Sequence, residues 1–116
     1  MIIKGKVKIS VYETELQLMV VDSMSELQNF LMKKGIIVAD VTNCEGITLG
    51  YNKTYLVVFV KDFISHNLIA HELFHLATMV TKDIDIEDEE SQAWLNGYVT
   101  EQVYKILNKK NITIKL

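Results

Sequence analysis

Six consecutive apolar residues, Tyr55-Leu56-Val57-Val58-Phe59-Val60, constrain this chain more than any other feature. A run that short, rich in β-branched and aromatic residues, reads as a strand rather than a helix. Successive side chains of a strand point to opposite faces, so an unbroken run marks a strand buried on both. The chain must therefore place other elements above and below one central strand. No longer apolar run exists, and six residues fall far short of a bilayer span.

The flanking pattern supplies those elements. Val7–Tyr12 alternates Val7, Ile9 and Val11 with Lys6, Lys8 and Ser10, the period of a strand. Glu15–Val21 repeats it with Leu16, Leu18 and Val20, so Glu13-Thr14 is expected to be a short turn, or the midpoint of one bent strand. Gly46–Tyr51, Asn52-Lys53 and Thr54–Val60 read as a hairpin. Ser23–Lys34 has a helical stripe of Met24, Leu27, Phe30 and Leu31, a Ser to cap it and Gly35 to end it. Ile36–Val41 reads as a short extended piece. Ser65 caps a second helix, about His66 to Val80, with apolar residues almost all round, which predicts burial. A last helix spans roughly Ile86 to Leu107, capped by Asp85, with Trp94 as an anchor between the two. Asn111–Leu116 alternates again, as an edge strand would. At 116 residues this is one α+β domain, 1–116, with a small twisted mixed or antiparallel sheet and a backing helix.

Charge narrows the partners. Fifteen acids face twelve cations, and every cation is Lys. Arg is the preferred reader of phosphate and guanine, so an acidic chain without it is not expected to bind nucleic acid. No membrane segment or leader is visible behind Met1-Ile2-Ile3-Lys4, and the single Cys44 has no partner, so a cytoplasmic setting is expected. Cys44 also lacks a His or Cys at ligand spacing and reads as an inert thiol.

Chemistry concentrates in His71-Glu72-Leu73-Phe74-His75. Two of the chain's three histidines stand at i and i+4, one turn apart on a single helical face. Composition alone would produce this pattern about 0.006 times in such a chain. The two rings can converge on one ion, and imidazole suits Zn²⁺. Glu72, rotated about 100° from His71, can take a proton from a water activated there. Unpartnered imidazoles inside a buried helix would cost about 1–3 kcal/mol each, a cost that a metal removes.

Zinc needs a third protein ligand. His66, five residues before His71, lies off that face and reads as a surface residue. Glu90 is the stronger candidate, because Ala93 and Gly97 follow on its stripe and small residues there would let the last helix approach closely. Glu89 is the alternative. Asp83-x-Asp85-x-Glu87 lacks the glycine and terminal glutamate of a calcium loop.

The stretch Ile69-Ala70-His71-Glu72-Leu73-Phe74-His75-Leu76-Ala77, followed by Glu90-Ser91-Gln92-Ala93-Trp94-Leu95-Asn96-Gly97-Tyr98, resembles the gluzincin class of zincin metallopeptidases. The resemblance is to minimal single-domain forms, as in small phage and bacterial proteins, and covers mainly residues 65–107. It implies a zincin-like fold in which His71, His75 and Glu90 ligate Zn²⁺ and Glu72 is the catalytic base and proton shuttle. It implies a glutamate helix carrying Glu90, and a peptide or protein substrate docked on a sheet edge. Where the pattern often has Asn before the ligand glutamate, this chain has Glu89. Tyr98 and Tyr104 are available beside the site without an assigned role. The function expected is thus a zinc-dependent metallopeptidase. The alternatives are a non-catalytic protein-binding module on the same scaffold, such as a phage or mobile-element accessory protein, and a zinc hydrolase of some other amide.

Overall fold

The computed structural model describes residues 2–116 and, for Tyr51, the backbone alone. Its elements are β1 (Ile3–Ile9), β2 (Thr14–Val21), α1 (Met24–Lys33), β3 (Gly46–Tyr51), β4 (Thr54–Val60), α2 (His66–Asp83) and α3 (Glu89–Lys109). The strands form one mixed sheet in the order β1-β2-β4-β3. The β1/β2 and β3/β4 pairs are antiparallel, whereas β2 and β4 are parallel. A parallel pair cannot be closed by a tight turn. The chain between them therefore crosses one face of the sheet as α1 and returns through β3.

The central strand is β4, as the apolar run requires. Tyr55, Val57 and Phe59 enter a core with α2 and α3, and Val58 and Val60 enter a second core with α1. β2 divides likewise, with Leu16, Leu18 and Val20 on one side and Met19 and Val21 on the other. α3 reaches the sheet over β1, where Gly5 faces the Ile106 side chain and leaves no room for a Cβ.

All three helices begin on a capping side chain. Ser23, Ser65 and Asp88 accept from the backbone N–H groups of Glu26, Leu68 and Ser91. All three end in the same Schellman motif. Gly35, Asp85 and Asn111 take positive φ, and the isoleucine after each donates its N–H back to Leu31, Thr81 or Leu107. This explains why α3 starts at Glu89 and not at Ile86: Asp85 is occupied as the left-handed residue that closes α2, and Asp88 caps in its place.

Other expectations change. A 3-10 turn, Ser10–Tyr12, and Glu13 in the left-handed region join β1 to β2, so Val11 is exposed. Ile36–Val41 forms no strand. Asn111–Leu116 contributes one bridge, Lys115 to Ser65. Trp94 is half exposed, stacked on Tyr98 and edge-on to Tyr12, and does not fill the α2/α3 seam. α2 is buried along one face only, with Phe74 largely exposed on the other. No helix among the described residues is long and apolar enough to cross a membrane. Met1, with which the leader reading begins, lies outside the described residues.

Tyr55 ties the sheet to the end of α2 by donating its hydroxyl to Asp83 Oδ2 at 2.6 Å. Burial, then that hydrogen bond and the Asp83 charge, push its pKa above the ordinary range. A folded value above the unfolded value of about 10 stabilises the protein fully below that pH, and the contribution is lost progressively as pH rises from there toward the folded value. The stability of the native chain should therefore fall between about pH 9 and pH 11 more steeply than that of Tyr55→Phe in denaturant titrations. Equal alkaline slopes would contradict this.

Candidate metal centre

α2 carries the site at its middle. Its inner face, Ile69, Leu73, Leu76 and Val80, is fully buried against the sheet and α3. That packing fixes the rotation of the helix, and rotation fixes where the remaining side chains point. Glu72 faces β3, Thr81 meets Gln92 of α3, and His66 meets Tyr104 of α3. At 100° per residue, His75 lies about 60° from Glu72 but about 120° from Thr81 and 180° from His66. The histidine pair thus occupies the outer crest of α2 and leans toward β3, the edge strand.

The two rings converge. His71 Nε2 and His75 Nε2 are 3.2 Å apart, with ring centroids at 4.7 Å and planes at 80°. Two imidazole nitrogens on tetrahedral zinc, with bonds of about 2.0–2.1 Å, stand about 3.3 Å apart. Donor type and separation therefore fit two positions of a zinc site. The same distance also suits a hydrogen bond between neutral rings, one donating and one accepting. The His71 side chain is 62% exposed, so the histidines are not buried in the core, and relief of a burial cost is no argument for a metal.

Glu72 is held from beneath. It is only 6% exposed, although it is charged chemistry on a helix whose crest faces water. The Thr48 hydroxyl of β3 lies 2.8 Å from Glu72 Oε1 and 3.0 Å from the Glu72 carbonyl oxygen, so its one proton serves either acceptor. Glu72 Oε2 remains 3.9 Å from His71 Nε2. Gly46 makes the approach possible: a Cβ there would lie 3.3 Å from Glu72 Cγ, 3.2 Å from Leu68 Cδ1 and 3.2 Å from the Val58 carbonyl oxygen. Thr48 and Gly46 were invisible as site residues in the sequence. Threonine is ordinary in a strand, and only the pairing of β3 against α2 gives it this partner.

Glu89 and Glu90 are exposed in the first turn of α3. Glu90 lines a shallow recess with Val11, Tyr12, Ser91 and Trp94. The Ala93 and Gly97 stripe faces solvent, with nothing within 4 Å of a Cβ built on Gly97. The inward stripe is Leu95, Val99, Val103 and Leu107, which buries far more apolar area than small residues could. The structure brings His71, His75 and Glu72 together and does not bring Glu89 or Glu90 to them. Among the described residues no group of three His, Cys, Asp or Glu side chains is placed to hold a metal ion. The Asp88 carboxyl is held below its ordinary range by the Ser91 N–H and hydroxyl, so it is committed to the helix start. Tyr98 donates to the Lys8 carbonyl oxygen, Tyr104 pairs with His66, and Cys44 is exposed and free.

Comparison with protein-family models, with curated proteins and with solved structures finds no match to this chain.

Thr48→Val should leave Glu72 Oε1 buried without its donor and cost about 1–3 kcal/mol in denaturant unfolding. Glu72→Gln keeps an acceptor oxygen for Thr48 and should cost less. The reverse order would show that the Thr48 hydroxyl does not hold this side chain.

Proposed function

We propose that the chain is a zinc-dependent hydrolase of peptide bonds on a minimal zincin-like scaffold. One observation carries this reading: two histidine nitrogens at the separation of zinc ligands, with a carboxylate fixed beside them on the same helix. His71 and His75 would hold the ion. A bound zinc ion supplies Lewis-acid polarisation of a carbonyl and lowers the pKa of water. Glu72 is suited to proton transfer because Thr48 restrains one oxygen and leaves the other toward the histidines. It would take a proton from the attacking water and return it to the leaving amine. The chain has no Arg, so no guanidinium is available to clamp a substrate carboxylate.

The third ligand in this reading is Glu90, with Glu89 as the alternative. Both are exposed, and among the described residues neither is grouped with the histidines at ligand range, so either must reach them by a movement of its side chain or of the first turn of α3. That exposure favours the second reading, a protein-binding module on the same scaffold in which the paired rings bond to each other.

Elemental analysis of the purified chain should give one zinc per molecule, lost in His71→Ala and His75→Ala. Glu72→Gln should keep the zinc and lower turnover of a peptide library by about 10²–10⁴-fold. Glu90→Gln should weaken zinc binding more than Glu89→Gln. Zinc at full occupancy without cleavage of any peptide would overturn the peptidase reading. No zinc after dialysis against the metal would favour the binding module.

A further inference from the structure

The face of the sheet opposite α2 and α3 is only partly covered. α1 has ten residues, about 15 Å of helix, against strands of up to eight residues. Cross-strand pairing arranges that face in rows. Lys4, Met19, Val58 and Ile47 form one row, and Lys6, Gln17, Leu56 and Leu49 form the next. α1 buries Met19 and Val58 of the first row. The second row runs beyond it, leaving Gln17 exposed and Leu56 and Leu49 half-buried. The chain leaves α1 at Gly35, where φ is +74°, and Ile36 to Val38 form a wall beside this second row.

The result is a recess of about 910 Å³ with Met19, Leu31, Leu49, Leu56, Ile36 and Val38 in its walls. That volume falls in the range of small-molecule sites. It crosses the four strands, a span of roughly 14 Å at the usual inter-strand spacing. One end is cationic. Lys4 Nζ and Lys34 Nζ lie 4.7 Å and 5.0 Å from the centre of the Phe30 ring. Among the described residues neither lysine is in an ion pair.

We propose that this recess binds a medium-chain fatty acid, with its carboxylate between Lys4 and Lys34 and its chain lying across β2 and β4 toward Leu49. The two ammonium groups supply the charge a carboxylate needs. The middle of the recess lies over β2 and β4, the two interior strands, whose backbone groups are already paired on both sides. A peptide lying there would find few partners for its own N–H and C=O groups, whereas an alkyl chain needs none. This site lies on the opposite face of the sheet from the histidines and is independent of the hydrolase reading.

Isothermal titration of the full chain with decanoate, decanol and decyltrimethylammonium tests it. Decanoate should bind one to one, and the neutral and cationic analogues at least about tenfold more weakly. Lys4→Ala/Lys34→Ala, confirmed folded by circular dichroism, should lower decanoate affinity by a similar factor, since both lysines are exposed. Leu56→Trp, confirmed folded by circular dichroism, should abolish binding by filling the recess. Decanol binding as tightly as decanoate, undiminished binding in either variant, or no saturable binding by the native chain would overturn the proposal.

Discussion

Burial of β4 on both faces is the constraint from which the rest of the molecule follows. Its alternating side chains feed two separate cores, so helices must lie above and below the sheet. The parallel β2/β4 pair sends α1 across one face, and α2 with α3 close the other. Once Ile69, Leu73, Leu76 and Val80 are buried beneath α2, the helix has no freedom to rotate. Glu72 is then turned to β3, and His71 and His75 to the crest beside it. The candidate centre is thus a consequence of hydrophobic packing by side chains that contribute none of its polar atoms.

That placement gives Glu72 a different environment from the histidines one step along the same helix. The carboxylate is buried and hydrogen-bonded, which restricts its rotamers. The rings are exposed and converge on each other, with Glu72 Oε2 3.9 Å from His71 Nε2. In the proposed function this arrangement would suit proton transfer at a metal site, with the carboxylate positioned and the histidine nitrogens open to ion and substrate. The same two-sided construction leaves the second sheet face incompletely covered, since a ten-residue α1 is shorter than the strands beneath it.

Much of this was legible in the sequence because it is periodic and local. Alternation marked β2 and the β3/β4 hairpin, Ser23 and Ser65 marked helix starts, and the spacing of His71 and His75 implied converging rings. What could not be read depends on competition between local patterns or on distant pairing. Asp85 was eligible both to cap α3 and to close α2, and the turn at the end of α2 took it. α3 offered a small-residue stripe and a large-residue stripe, and the larger apolar area won the interior, which turned Glu90 outward with Ala93 and Gly97. Thr48 under Glu72, and Lys4 beside the Phe30 ring, join residues far apart in sequence, for which no local signal exists.

Under the proposed function the paired histidines are metal ligands rather than partners in a surface hydrogen bond. X-ray absorption at the zinc edge of the metal-loaded chain separates the two. The spectrum should show two imidazole nitrogens at about 2.0–2.1 Å with the remaining positions filled by oxygen, and the imidazole shell should be lost in His71→Ala/His75→Ala. A spectrum with only oxygen neighbours, or with sulfur from Cys44, would contradict it.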